Sequence, residues 1–196
     1  MEAKSYLVAG GVVIMPTDTV YGLVGQACSR GVVKRIEKIK KRSEGKLPIV
    51  LIGSTDDLSL FAVQMSPEQK MLLGDIWPGP ISVVLPVGDT QFRYLHKGSN
   101  TIAFRMPDDV YLRDLIKKTG PLIATSANIS GQPVVQTIKE AEACFGKEVD
   151  LYIAGKVTNA PSMLIAWNGD DIDILRDSPL VSEKTRALLD AKAVLV

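Results

Sequence analysis

Apolar and polar residues come in short blocks along this chain, and the block lengths predict its elements. Residues 12–15 and 21–27 are apolar runs of strand length on either side of the turn Pro16-Thr17-Asp18-Thr19. Over 32–41 apolar residues recur at helical spacing, with Val33, Ile36 and Ile39 or Lys40 on one side. A strand at 48–52, a helix near 66–76, the turn Trp77-Pro78-Gly79-Pro80 and a β-rich run at 82–87 follow. Then come a strand-like TIAFRMP, a helix near 110–119, the strand PLIATS, a helix near 137–145, and the runs DLYIAG, SMLIAW and DIDIL. The opening residues are amphipathic, and the tail 182–196 reads as a short helix. This alternation predicts a mixed α/β sheet with flanking helices. No repeat, low-complexity tract or linker divides the chain, so residues 1–196 are expected to form a single domain.

Charge narrows the function classes. Lys plus Arg number 23 against 22 Asp plus Glu, so no overall field marks a general nucleic-acid or membrane-surface binder. Any basic site must be local. Hydrophobic residues make up 46% and charged residues 23%, which is the balance of a folded chain and not a disordered one. Cys28 and Cys144 match no metal or redox spacing and are expected as buried, reduced thiols. No apolar run approaches the roughly 18 residues of a membrane span, and no secretory leader pattern opens the chain. A cytoplasmic protein without membrane contact is expected.

Three segments carry candidate chemistry. In PTDTVYGL, Thr17 and Thr19 are two apart, and an extended path would point both hydroxyls to one side. A strand-connecting turn with local backbone bonds from Asp18 and the threonines accounts for the same stretch. Lys40, Lys41, Arg42 and Lys46 cluster at a helix end, where cations complement the helix dipole. On a continuing helix Lys40 and Arg42 would diverge by about 200°, so they converge on one anion only if the helix ends near Lys41. Ser43 and Gly45 are plausible terminators, and several cations beside a threonine row point to phosphates. In PLIATSANISG an apolar strand runs into Ser126, Asn128 and Ser130 and closes at Gly131, which suits either a pocket at a sheet edge or an N-cap and turn. Neither a Walker loop nor a G-x-G-x-x-G motif is present.

Arg105 alternates with Ala103 on the strand face opposite Ile102 and Phe104, and needs either a structural carboxylate or a bound anion. Arg176 poses the same choice. His96, the single histidine, stands in the polar stretch LHKGSN without a companion and is expected as an ordinary surface residue, which argues against histidine-based catalysis.

The order PTDTVYGL, Lys40-x-Arg42, WPGP, AFRMP and TSANISG resembles the YrdC family of threonylcarbamoyl-AMP synthases, from about Gly10 to Asp177. The most specific element is the pairing of K-x-R with S-x-N, the latter supplied by Ser126 and Asn128. The resemblance implies a twisted mixed sheet around a deep, basic, concave pocket. It implies formation of threonylcarbamoyl-AMP and pyrophosphate from L-threonine, bicarbonate and ATP, with Mg2+ accompanying ATP. A partner transferase complex would then pass the threonylcarbamoyl group to an adenosine of tRNA. Thr17, Thr19, Tyr21 and Arg105 would bind threonine and bicarbonate. Lys40, Arg42, Lys46, Ser126, Asn128, Ser162 and Arg176 would bind ATP, with Lys40 and Arg42 as the catalytic pair. No general base is obvious, and positioning with charge neutralisation can carry such a transfer.

Two departures stand out: Ser43 where relatives usually carry proline, and Met163 where they carry threonine, which leaves Ser162 but not Met163 in the phosphate set. The chain resembles the short form of the family, without an extra C-terminal domain. The rival readings are a non-catalytic module binding tRNA or double-stranded RNA, a hydrogenase-maturation carbamoyl-adenylate unit, and a paralogous subfamily lacking S-x-N. The near-neutral charge counts against the first, the absent zinc-binding and acylphosphatase regions against the second, and TSANISG against the third.

Overall fold

The computed structural model describes residues 2–41, 48–88, 90–168 and 171–192. Among them the strands are β1 (Val13–Pro16), β2 (Tyr21–Gln26), β3 (Ile49–Leu51), β4 (Ile81–Pro86), β5 (Thr101–Arg105), β6 (Leu122–Ser126), β7 (Leu151–Tyr152), β8 (Met163–Asn168) and β9 (Asp171–Arg176). They join in one sheet of order β7-β1-β2-β6-β3-β5-β4-β8-β9. The pairs β1/β7, β3/β5 and β4/β8 are parallel and the other five are antiparallel, so the sheet is mixed, as the alternation predicts.

The helices are α1 (Glu2–Val8), α2 (Arg30–Ile39), α3 (Pro67–Ile76), α4 (Arg93–His96), α5 (Val110–Thr119), α6 (Ile138–Phe145) and α7 (Glu183–Asp190). Their starts follow from capping side chains. Ser29, Ser66, Asp109, Thr137 and Ser182 each accept a first-turn amide, and Pro67 opens α3 without losing a needed donor.

Strand alternation splits the core in two. Ile14 and Leu23 face a cluster with Ile36, Phe61, Phe104 and Ile165, roofed by α2, α3, α6 and α7. Val13, Met15 and Val24 face the opposite side, with Leu7 of α1 and Leu112, Leu115 and Ile116 of α5. Gly25 lets α2 lie close on β2, because a Cβ there would stand 2.3 Å from Val32 Cγ1.

Helix α2 ends at Ile39, Lys40 caps it, and Lys41 turns left-handed at φ 48°. The helix therefore stops where convergence of its terminal cations requires. Arg42 and Lys46, like Ser43, lie outside the described residues.

Three expectations are corrected. His96 is buried, and its Nδ1 accepts from the amides of Gly98 (3.1 Å) and Asn100 (3.2 Å), which closes the turn into β5. Cys28 and Cys144 are exposed, not buried. The path from Thr17 to Thr19 is not extended, because Asp18 between them adopts φ 61°. The sequence pattern also misses the short 3-10 helix Thr55–Phe61 and α4, each too brief to show a period.

Candidate functional site

The C-terminal end of α2 meets the end of β6 through one buried lysine. Lys40 Nζ donates to Ser126 O (2.6 Å), to Asn128 Oδ1 (2.8 Å) and, at 3.4 Å, to Ser126 Oγ. Ser126 Oγ donates to Asn128 Oδ1 (2.7 Å), and Asn128 Nδ2 donates to Gln132 O (2.6 Å). Ser130 N in turn donates to Lys40 O (3.0 Å). Lys40 of K-x-R and the S-x-N segment, with Lys40 and Ser126 86 residues apart in the chain, are thus one hydrogen-bonded unit. This network fixes the ammonium at the junction with its protons engaged by the protein, so it can act on a nearby anion through its charge.

The turn 17–20 forms the second part. Thr17 Oγ1 donates to Val20 O (2.8 Å) and Thr19 Oγ1 to Thr17 O (3.2 Å), so both hydroxyl protons serve the turn itself. Each oxygen keeps acceptor lone pairs, which match a ligand ammonium or hydroxyl better than a carboxylate. Gly22 is required beside it, since a Cβ there would meet Thr17 Cγ2 at 2.6 Å. Tyr21 is buried, and its hydroxyl donates to Gly155 O (2.8 Å) while accepting from Gly155 N (3.1 Å). Its ring can wall a pocket, but its polar tip is already occupied.

Arg105 reaches this turn from β5. Its Nη1 donates to Asp18 Oδ1 and its Nη2 to Thr17 O (2.9 Å), while its Nε is buried without a partner. The partner that the sequence left open is therefore a structural carboxylate. Asp18 also accepts from Asp108 N at 3.0 Å. Burial pushes the Asp18 carboxyl above its ordinary value, against the downward pull of Arg105. A guanidinium does not deprotonate in a protein, so the pair is held by the need to compensate a buried cation. Arg105 thus fixes the turn; most of its donors are not open to a ligand.

The third part crosses β4, β8 and β9. Ser82 Oγ and Ser162 Oγ share a hydrogen bond of 2.9 Å, and Arg176 donates through Nε to Ser162 O (2.9 Å) and through Nη2 to Ser162 Oγ (3.2 Å). Burial, and then the charge of Arg105, pull the Arg176 guanidinium below its ordinary value.

The lysine network and the arginine row stand at opposite strand ends of the sheet, and the turn 17–20 bridges them. Ala127 N donates to Tyr21 O (2.8 Å), beside Ser126, while Asp18 and Thr17 O hold Arg105. Strand β1 is four places from β5, and a twist of about 20–25° per strand turns their ends through roughly a right angle. Twist thus folds the turn over toward β5. Of the candidate residues, Thr17, Thr19, Tyr21, Lys40, Arg105, Ser126, Asn128, Ser162 and Arg176 join this connected set. Asp18 and Ser82 were not selected from the sequence. Asp18 was legible as the nearest carboxylate in a motif facing a strand arginine, whereas nothing in the sequence marked Ser82.

The fold is thus a mixed α/β one that carries a buried lysine, two arginines and a set of hydroxyl and amide groups. The family profile described as telomere recombination (Sua5/YciO/YrdC) matches residues 5–178, and the chain belongs to that family. A threonylcarbamoyl-AMP synthase of Pyrococcus abyssi is 34% identical over 80% of this chain and 46% of its own length. A putative threonylcarbamoyl-AMP synthase of Mycobacterium tuberculosis is 29% identical over 98% of this chain and 90% of its own. The solved structure of P. abyssi Sua5 complexed with L-threonine superposes with a TM-score of 0.88 at 31% identity, covering 98% of this chain and 57% of that one. The chain thus spans about half the length of its P. abyssi relative.

Proposed function

We propose that this chain condenses L-threonine, bicarbonate and ATP into threonylcarbamoyl-AMP and pyrophosphate. The observation that carries the reading is the Lys40, Ser126 and Asn128 network joined through the turn 17–20 to the arginine row. Lys40 and Arg42 act on the phosphates with Lys46 and Arg176, while Ser126, Asn128 and Ser162 hydrogen-bond the nucleotide. Thr17 and Thr19 accept from the ammonium or hydroxyl of threonine, Tyr21 walls that end, and Arg105 acts there through the turn. The threonine amine joins the bicarbonate carbon with loss of water to give a carbamate, and a carbamate oxygen then attacks the α-phosphorus as pyrophosphate leaves, which yields the mixed anhydride. Cations at that phosphorus stabilise the charge that builds during transfer.

No group of three His, Cys, Asp or Glu among the described residues could hold a metal ion. The Mg2+ in this reading is therefore carried by the ATP phosphates and waters, the usual manner for this ion. The threonylcarbamoyl group then passes to tRNA through a separate transferase complex. Among the described residues no helix is long and apolar enough to cross a membrane.

The test is pyrophosphate release with each substrate omitted in turn. Release is expected only when ATP, L-threonine and bicarbonate are all present, and equal ATP cleavage without threonine or without bicarbonate would refute the assignment.

A further inference from the structure

At the other end of α2 lies a recess of about 540 Å³ that the proposed chemistry does not use. Among the described residues Arg30, Thr90, Gln91, Arg93, Tyr94 and Lys97 line it, so three cations and no carboxylate of the described residues face one space. Lys97 is paired with Glu37 Oε1 at 2.5 Å. Neither the Arg30 nor the Arg93 guanidinium makes a hydrogen bond or ion pair with any described residue. Net charge on the whole chain is only +1, so this is a local concentration of positive charge. Like charges crowded into a concave space repel, and an anion seated among them relieves that repulsion.

The remaining lining narrows the anion. Tyr94 is half-buried, its ring leans on Phe92 with centroids 6.2 Å apart, and its hydroxyl donates to Ala27 O at 3.0 Å. Burial pushes that hydroxyl up to about 12, so the ring stays neutral. The recess volume falls in the range of small-ligand clefts, about 300–1,000 Å³. Two forked guanidiniums and an ammonium suit adjacent phosphates, and an aromatic ring suits a flat base. Arg30 opens α2 and Lys40 caps its far end, so the recess and the lysine network stand roughly 15 Å apart along the helix.

We propose that this recess is a second nucleotide site, which binds a free nucleoside polyphosphate through Arg30, Arg93 and Lys97. It is independent of the lysine network.

Equilibrium binding of ATP, measured without threonine or bicarbonate so that no turnover occurs, tests the assignment. The wild-type chain is expected to bind two ATP molecules, and the Arg30→Gln, Arg93→Gln double variant one, with the lost site weakened by about tenfold or more. Both arginines are exposed, so the melting temperature and pyrophosphate formation should stay at wild-type levels. Lys40→Met should also bind one ATP, through the recess. If the catalytic reading is wrong, Lys40→Met leaves the stoichiometry unchanged while the arginine variant still lowers it, so the two failures are distinct. Unchanged stoichiometry and affinity in the arginine variant would overturn the second site. Displacement of the second ATP by sulfate at matched ionic strength would equally overturn it. So would binding of a single-stranded RNA oligonucleotide that depends on Arg30 and Arg93 while ATP binding does not.

Discussion

Lys40 shows how one side chain can satisfy two accounts at once. It is a helix-end cation, as the dipole argument anticipates, yet it is buried and committed to Ser126 and Asn128. Lys40→Met keeps much of the apolar stem and removes the charge. It removes one donor from Ser126 O and from Asn128 Oδ1, which keep Asn128 N and Ser126 Oγ as partners, so the stability cost is about 1 kcal/mol. We expect a lower melting temperature and, in the folded protein, a drop in adenylate formation of about 10²–10³-fold, the scale for losing one preorganised electrostatic contact. Full activity in the folded variant would reduce Lys40 to a structural role. Arg105 teaches the complementary lesson, since its burial against Asp18 makes it a brace for the turn and not an open anion contact.

Among elements, the junction of α2, β1 and β7 has a titratable clasp. Asp150, just before β7, accepts from Val12 N (2.7 Å) and pairs with Arg35 of α2 (2.6 Å). The Arg35 hydrogen bond is the largest cause holding its carboxyl below the ordinary value of 3.8. A lowered folded value means that the unfolded chain takes up protons first as acid is added. The clasp's contribution is thus present above pH 3.8 and is lost as pH falls through the lower folded value. Asp150→Asn should therefore be less stable than wild type at pH 7, with a gap that narrows below about pH 4. Thermal midpoints of the two proteins across that range measure it, and a gap that widened in acid would contradict the clasp.

At the scale of the molecule, one sheet serves two cores, so neither face can unfold while the other remains. Phe104 is central to the larger core, with its ring 5.0 Å from that of Phe61. Phe104→Ala should cost about 3–5 kcal/mol, which for a chain of this length lowers the melting temperature by roughly 10 °C. Far- and near-ultraviolet circular dichroism should report a single shared transition in both proteins. Separate transitions for helix content and aromatic packing would show that the two faces are independent.

Much of this fold was legible in the chain because its signals are local. Strand alternation, helical spacing and the capping residues Ser66 and Thr137 depend on near neighbours, and α5 appears at Val110–Thr119 where the periodicity places it. The end of α2 was legible for the same reason, and it decided that Lys40 leaves the helix surface. What the chain alone could not decide is anything that needs distant strands to meet. Strand order is not written in periodicity, since the backbone edges through which strands pair look alike to a local pattern. The pairing of Arg105 with Asp18 depends on accumulated twist across four strand steps, and the Ser82 and Ser162 contact depends on the β4/β8 register. His96 looked exposed because its loop is polar, yet its ring is drawn inside by two backbone amides that only the folded turn presents. Residue types and spacing thus determined which chemistry the protein carries. The tertiary structure decided which of those residues face a ligand and which hold the others in place, because burial and hydrogen-bond partners are properties of packing between elements, not of neighbours in sequence.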